Sequence, residues 1–135
     1  MLRSTDYLGS TPLVIFFYPR DDTLGCTIES CAFRDSHEDF VTAGAVVIGI
    51  SADSMESHRA FRDKYTLPFI LASDPDRAVA RAFGVPDGPF GLAGRATFVI
   101  DKRGVVRDAF LSRLRPKKHV SRALEAVRRL ADESA

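Results

Sequence analysis

The chain of 135 residues is long enough for one ordinary globular domain with a sizeable core, since 45% of its residues are hydrophobic. Nineteen Lys and Arg against eighteen Asp and Glu leave a formal net charge of +1, which gives no general reason to expect a nucleic-acid or membrane partner. No uninterrupted apolar run approaches the roughly 20 residues that span a bilayer. We therefore expect a single domain over residues 1–135, with a cytoplasmic location.

The first half of the chain alternates strand-like and helix-like segments. Residues 12–18, PLVIFFY, form a continuous apolar run typical of a strand buried on both faces. A polar stretch with an imperfect helical stripe follows over 23–43 and ends at a glycine, and a second buried strand is predicted over 45–51. Residues 53–65 are predicted as a helix, and 67–73 as a third strand started by a proline.

The second half continues with a short helix over 74–84 and a loop rich in Pro and Gly over 85–94. Residues 96–101 and 105–111 flank the turn KRG as a hairpin. A final helix over 116–131 should cover the sheet with one apolar face, which consists of Val120, Ala123, Leu124, Val127, Leu130 and Ala131. The element order β-α-β-α-β-α-β-β-α predicts the α/β class, with a central mixed β-sheet flanked by helices.

Several site types find no support in the sequence. The patterns G-x-x-x-x-G-K-[ST], G-x-G-x-x-G and H-E-x-x-H are missing, which argues against nucleotide binding and zinc proteases. The three histidines, His37, His58 and His119, are scattered over separate predicted helices, so we expect no metal site. Two cysteines are too few for a disulfide scaffold, which favours thiols with a chemical role or plain buried residues.

Cys26 lies just beyond the first predicted strand, in the opening turn of the first predicted helix. Asp22 or Thr23 is available to cap that helix. Unpaired backbone N–H groups and the positive end of the helix dipole at such a position favour the thiolate over the thiol. Ionisation alone gives a modest gain, so a fast reaction also needs groups that position the attacked bond and stabilise the leaving atom.

The spacing of Cys26 and Cys31 adds a second constraint. Five residues on an α-helix correspond to a rise of about 7.5 Å and a rotation of about 140°, whereas a disulfide needs Cα atoms within roughly 7 Å. The two thiols cannot bridge while the helix is intact, so a disulfide between them would be a conformational switch that requires local unwinding.

The segment FYPRDDTLGCTIESCAFRD resembles the active-site segment of peroxiredoxins, specifically the bacterioferritin-comigratory-protein or PrxQ subfamily. The family pattern P-x-x-x-T-x-x-C is present as Pro19, Thr23 and Cys26, and Cys31 matches the resolving cysteine of the subfamily. The segments VVIGISADS, PFILASDPDRAVARAFGV and GRATFVIDKRGVV are similar to further consecutive family segments. Arg95, just before ATFVID, falls on the catalytic arginine of the family.

The resemblance implies a thioredoxin-like fold and a peroxide-reducing cycle. Cys26 would attack hydrogen peroxide or an alkyl hydroperoxide and become a sulfenic acid. Thr23 and Arg95 would hold the peroxide, and Pro19 would shield the sulfenic acid. Cys31 would then form an intramolecular disulfide with Cys26, which a thioredoxin-like protein would reduce. No metal, haem or flavin cofactor is implied.

Other interpretations remain open at this level. The same disulfide switch would also suit a redox-sensing or chaperone-like interaction protein, and a disulfide oxidoreductase is a poorer choice because C-x-x-C is absent. In the plainest alternatives Cys31 is a packed helix residue, Thr23 only a cap and Arg95 a solvated charge. Family members commonly carry further residues before the first core strand. This sequence begins almost directly at that strand, so we expect the extension to be absent. An uncovered strand edge can pair with another chain, although we expect a monomer more than a dimer.

Overall fold

The structure of the chain is a computed structural model that describes residues 11–21, 24–85, 95–111 and 116–134. The strands in these residues are β1 (Leu13–Phe17), β2 (Val46–Ser51), β3 (Ile70–Ser73), β4 (Ala96–Ile100) and β5 (Val106–Leu111). They form one sheet in the order β3-β2-β1-β4-β5. The neighbours β1, β2 and β3 are parallel, whereas β4 is antiparallel to both β1 and β5. The predicted mixed sheet with its closing hairpin is therefore confirmed.

The central strand β1 is buried on both faces, as its continuous apolar sequence predicts. Side chains of alternate residues point to opposite faces of a strand, so β1 supplies two separate cores. Val14 and Phe16 belong to one core cluster, and Leu13, Ile15 and Phe17 belong to the other. This burial makes β1 a rigid platform for the segment that follows it.

Helices cover both faces of the sheet. They are α1 (Leu24–Asp35), α2 (His37–Thr42), α3 (Met55–Tyr65), α4 (Ala78–Ala82) and α5 (Pro116–Ser134). The cluster that contains Phe16 also holds apolar side chains of α1, α2, α3 and α5, whereas the opposite cluster includes Ala80 of α4. The predicted α/β class, a central sheet flanked by helices, is confirmed.

The prediction of one helix over 23–43 is wrong, because the backbone bends at Ser36. This residue has φ −99° and ψ 7° and separates α1 from α2. Helical hydrogen bonds continue through the bend, since the Ser36 N–H donates to the Ala32 carbonyl at 3.1 Å. The bend allows the Phe33 and Phe40 rings to pack 5.6 Å apart in the same core.

Two other predicted elements are shorter in the structure. β3 begins at Ile70, where its parallel register with β2 starts. α4 begins at Ala78 because Arg77 adopts a left-handed conformation, with φ 60°, which interrupts a helix. The Asp74 carboxylate accepts two backbone N–H groups of the first turn of α4, at 3.1 and 3.0 Å. The turn before α4 is therefore held by a side chain.

The predicted apolar face of α5 is largely confirmed. Val120, Ala123, Val127 and Leu130 are buried, Leu124 is half-buried, Ala131 is exposed, and Ala126 is buried instead of it. Of the loop predicted over 85–94, only Val85 lies within the described residues. None of the helices in the described part of the chain combines the length and the apolar character needed to cross a membrane.

Candidate active site

Cys26 lies in the first turn of α1, at the position predicted from the sequence. Its side chain is only 1% exposed and belongs to the core cluster between the sheet and α1. Thiolate stabilisation in such a place depends on nearby donors, because a buried charge is costly unless it is paired. One such donor is Arg95, whose Nη2 donates to Cys26 Sγ at 3.3 Å.

The sheet topology explains how Arg95 reaches Cys26. Arg95 directly precedes β4, and the antiparallel register places Phe17, the last residue of β1, beside Ala96, the first residue of β4. α1 begins shortly after β1, so its first turn and the residue before β4 meet at the same end of the sheet. The structure thus brings together two of the predicted site residues.

Glu29 is a further member of this site that the sequence interpretation did not identify. Its Oε1 accepts a hydrogen bond from Arg95 Nη1 at 2.7 Å, and both side chains are buried. Glu29 lies three residues after Cys26 on α1, a spacing that places both on one face of a helix. That spacing is the signal from which Glu29 could have been found.

Burial and neighbouring charges together set the pKa values of the Glu29 and Arg95 side chains. It raises the pKa of the Glu29 carboxyl to about 8, and the charge of Arg95 opposes this rise only in part. For Arg95, burial disfavours the charged form, but Glu29 and Cys26 outweigh it and raise the pKa of the guanidinium above its ordinary value. Arg95 therefore supplies a permanent positive charge next to the sulfur.

His119 and Thr97 extend the buried cluster behind Glu29. Nδ1 of His119 lies 3.7 Å from Glu29 Oε2 and 2.7 Å from the Thr97 hydroxyl oxygen. His119 is a fully buried residue of α5. Thr97 lies on β4, two residues after Arg95, and this spacing puts the Thr97 and Arg95 side chains on the same face of the sheet. His119 was expected to be one of three scattered histidines; its contact with this site was missed because only the tertiary packing creates it.

Cys31 lies in the same helix as Cys26, but the two cysteines are not bonded to each other. Both cysteines are free, Cys26 buried and Cys31 half-buried, and α1 is continuous across them. With about 1.5 Å of rise and 100° of rotation per residue, an intact helix directs the two side chains to different sides. The structure describes the chain in its dithiol form.

Pro19 and Thr23 complete the set of predicted site residues. Pro19 is half-buried and follows the end of β1, on the segment that leads to Cys26. Thr23 lies outside the described residues, so its predicted role stays a prediction. Among the residues that the structure describes, no three His, Cys, Asp or Glu side chains lie together as a metal-binding group.

A second buried polar cluster holds the described segment after β1, which ends at Asp21. Asp21 accepts hydrogen bonds from Tyr18 Oη at 2.6 Å, from Ser57 Oγ at 2.8 Å and from His58 Nδ1 at 2.8 Å. Burial acts to raise the pKa of Asp21, but these donors, with His58 first, outweigh it and lower the pKa. The Asp21 N–H also donates to Asp53 Oδ2 at 2.7 Å, which ties the segment to the end of β2.

Comparisons with known proteins show which family the chain belongs to. The profile of the AhpC/TSA family matches residues 2–109. Chloroplastic peroxiredoxin Q of Sedum lineare is 51% identical over 120 residues, which cover 88% of this chain and 64% of that protein. Chloroplastic peroxiredoxin Q of Arabidopsis thaliana is 49% identical over 116 residues, covering 85% of this chain and 54% of that protein. The chain thus spans between about half and two thirds of the length of these relatives.

Solved structures give the same result for the fold. Peroxidoxin BcpB from Mycobacterium tuberculosis superimposes with a TM-score of 0.84 at 37% identity, covering 90% of this chain and 82% of that chain. Peroxiredoxin Q from Xanthomonas campestris superimposes with a TM-score of 0.85 at 35% identity, covering 94% and 83%. These neighbours are peroxiredoxins with the thioredoxin-like fold, which confirms the predicted fold.

The predicted cytoplasmic location is contradicted by the curated relatives. Those from Sedum lineare, Suaeda salsa, Triticum aestivum and Arabidopsis thaliana are all named chloroplastic. Net charge and hydrophobic pattern do not determine the compartment in which a protein resides. The family match, the sequence identities and the superpositions together show that the chain belongs to the AhpC/TSA family and is a peroxiredoxin of the PrxQ and bacterioferritin-comigratory-protein type.

Proposed function

We propose that the chain is a thiol peroxidase that reduces hydrogen peroxide or organic hydroperoxides through Cys26. The observation that carries this proposal is the buried Cys26 sulfur with the Arg95 guanidinium 3.3 Å away. A cation in a nearly dry site stabilises the thiolate, which is the nucleophilic form of cysteine. Membership of the peroxiredoxins supports the same reaction. These relatives do not favour the alternative of a redox-sensing or chaperone-like interaction protein.

The first half of the proposed reaction oxidises Cys26. The thiolate sulfur attacks one oxygen of the peroxide, the S–O bond forms as the O–O bond breaks, and the leaving oxygen departs as hydroxide or alkoxide and takes up a proton. Arg95 lies where negative charge moves from sulfur to the leaving oxygen. Fixed donors of this kind typically contribute about 10²- to 10³-fold in rate. Thr23 would polarise the peroxide, and Pro19 would shield the resulting sulfenic acid.

The second half regenerates the thiol. The Cys31 thiol condenses with the Cys26 sulfenic acid, giving a disulfide and water. Because α1 holds the two side chains on different sides, this step requires the first turns of α1 to unwind. A thioredoxin-like dithiol protein then reduces the disulfide by thiol–disulfide exchange. The half-buried position of Cys31 leaves it accessible to a partner thiol once the helix has opened.

We further propose that residues 1–135 form one domain that acts as a monomer. The described strands belong to a single sheet, and both core clusters include residues of the same central strand β1. The described groups of the candidate site, Cys26, Glu29, Arg95 and His119, all come from one chain. No second copy is needed to complete this arrangement.

The test is peroxide consumption in the presence of thioredoxin, thioredoxin reductase and NADPH. We expect turnover with the wild-type chain and none with Cys26→Ser. The matched variant Cys31→Ser should consume one equivalent of peroxide and stop at the sulfenic acid unless an external thiol is supplied. If the wild-type chain forms the disulfide without turnover, the redox-sensing function would replace the peroxidase function.

A further inference from the structure

The buried groups around Cys26 that the structure describes do not balance in charge when the sulfur is a thiolate. The thiolate and the Glu29 carboxylate each carry one negative charge, against one positive charge on Arg95. Glu29 and His119 are fully buried, and Arg95 is 7% exposed. An uncompensated charge in such surroundings is strongly unfavourable. One proton bound within the cluster would make it neutral.

The geometry indicates where that proton resides. Glu29 Oε1 accepts from Arg95, whereas Glu29 Oε2 is buried and has no hydrogen-bond partner among the described residues. His119 Nδ1 lies 3.7 Å from Oε2. An unpaired carboxylate oxygen in the interior is costly. Protonation of either Glu29 or His119 lowers that cost, because it makes the carboxyl neutral or places a positive charge 3.7 Å from Oε2.

Thr97 makes both protonation states of His119 acceptable. Its hydroxyl oxygen lies 2.7 Å from Nδ1. A hydroxyl can donate to the bare nitrogen of a neutral imidazole or accept from the N–H of an imidazolium. The hydrogen bond therefore persists whether or not His119 carries the proton, and the ring keeps its orientation towards Glu29.

Among the described residues, the charged groups that face the Glu29–His119 pair are Arg95 and, through Arg95, the Cys26 sulfur. Arg95, which faces the pair from the β4 side, stays protonated because its pKa is raised. From β5, the Phe110 ring packs against the His119 ring with centroids 4.7 Å apart. Beyond that ring lies Arg122, which is paired with Asp108 at 3.1 Å. The raised pKa of Glu29 agrees with a proton held close to neutral pH.

We propose that Glu29 and His119 together hold one proton while Cys26 is a thiolate and release it when the sulfur becomes neutral. His119 is then a positioning residue, because it acts on the reacting sulfur only through Glu29 and Arg95. The second part of this proposal, the release of the proton, rests on the proposed peroxidase function. When the thiolate attacks the peroxide, the products are the Cys26 sulfenic acid and a hydroxide or alkoxide. The proton of the pair balances that anion, giving water or alcohol and an unprotonated pair.

The first experiment needs no turnover. The Glu29 carboxyl carbon and the His119 ring nitrogens are followed by NMR as the pH is raised, in the reduced wild-type chain and in Cys26→Ser. Signals are assigned with Glu29→Gln and His119→Gln. Because Cys26→Ser lacks the thiolate charge, its pair should bind the proton about tenfold more weakly, a midpoint about one pH unit lower. Equal midpoints in the two proteins would overturn the proposal.

The second experiment counts protons during oxidation. The Cys31→Ser variant, which halts at the sulfenic acid, is mixed with one equivalent of hydrogen peroxide in weak buffer with a pH indicator, at a pH where Cys26 is ionised. We expect the protein to gain one oxygen with little proton uptake from solvent. The matched double variant Glu29→Gln with Cys31→Ser should take up one proton per sulfenic acid formed.

The outcomes separate this inference from the proposed function. Oxygen gain with uptake of a full proton by the Cys31→Ser variant would overturn the proton-holding role and leave the peroxidase intact. Absence of oxygen gain would overturn the peroxidase proposal and with it the release step. In that case the NMR comparison would still decide whether the Glu29–His119 pair senses the charge on Cys26.

Discussion

The guanidinium of Arg95 donates a hydrogen bond to Cys26 Sγ at 3.3 Å and joins two residues that are 69 positions apart in the chain. The same guanidinium donates to Glu29 at 2.7 Å, so its two terminal nitrogens are held by a sulfur and a carboxylate from one helix. A planar guanidinium fixed at two points has little freedom to turn away. The arrangement therefore aims a positive charge at the sulfur before any substrate arrives.

Removal of Arg95 should affect rate and stability separately. We expect Arg95→Met to slow the reaction with peroxide by about 10²- to 10³-fold, because the donor at the sulfur is lost. It should also lower the free energy of unfolding by roughly 1–3 kcal/mol, since the buried Glu29 carboxyl loses its hydrogen-bond partner. Stopped-flow measurement of sulfenic acid formation and urea denaturation report the two effects.

The double variant Arg95→Met with Glu29→Gln serves as the control for the Arg95 prediction. It replaces the unpaired Glu29 carboxyl by an amide that cannot ionise, so part of the lost stability should return while the reaction stays slow. Recovery of the rate in this double variant would show that Arg95 is needed only for folding.

The ionisation of Glu29 predicts a pH dependence of stability. Because the folded-state pKa is raised from 4.5 to about 8, the folded chain binds the proton more tightly than the unfolded chain. The stability that Glu29 contributes is fully present below about pH 4.5 and is lost as the pH rises through about 8. Urea denaturation of the reduced protein at a series of pH values, with Glu29→Gln subtracted, measures this change. A wild-type free energy of unfolding that rises relative to that of Glu29→Gln as the pH increases would contradict the prediction.

The Asp21 cluster predicts the opposite pH dependence. Since the pKa of Asp21 is lowered below 3.8 in the folded state, its contribution is present above that value and is lost as the pH falls through the folded pKa. At neutral pH, Asp21→Asn should lower the free energy of unfolding by about 3 kcal/mol, because His58 loses a buried charged partner. Tyr18→Phe, which removes one hydrogen bond, should cost only about 1 kcal/mol. An Asp21→Asn defect that persists unchanged in acid would argue against this account.

Gly49 is required by its close approach to the central strand. A Cβ at Gly49 would lie 2.7 Å from Phe16 Cζ and 3.0 Å from Leu71 Cδ2, well inside van der Waals contact. We expect Gly49→Ala to cost about 1–3 kcal/mol through overpacking. In a double-mutant cycle, Phe16→Leu should reduce that cost, because it removes the clashing ring atom. Strict additivity of the two substitutions would place the strain elsewhere.

Oxidation should unwind the start of α1. If Cys26 and Cys31 join, the chain loses two hydrogens in mass, and backbone amides in the first turns of α1 should lose their protection from hydrogen exchange. Amides of β1 should stay protected, because this strand is buried on both faces. Mass spectrometry after one equivalent of peroxide, with exchange measured on reduced and oxidised protein, tests both statements. A joined pair with an unchanged exchange pattern in α1 would show that unwinding is unnecessary.

Local patterns were sufficient for the sheet and for the position of the reactive thiol. The apolar run that became β1 and the polar stretch after it placed Cys26 at a helix start, and α1 does begin there. The bend at Ser36 could not be read in the same way. It depends on packing Phe33 and Phe40 into one core, which is a tertiary requirement and leaves no mark on the helical periodicity of residues 23–43.

By itself, the sequence determined the α/β class, the two thiols and the spacing that keeps them apart in an intact helix. These features follow from residue identities, their spacing and the hydrophobic periodicity, all of which are local properties of a chain. Only the tertiary structure decided that Glu29 and His119 belong to the site of Cys26. The reason is that a buried carboxylate and a buried imidazole are stabilised by groups on other elements, here Arg95 before β4 and Thr97 on β4. Those partners are adjacent in space because β4 pairs with β1 in antiparallel register. Such a pairing joins residues that are far apart in the chain, so local sequence patterns do not reveal it.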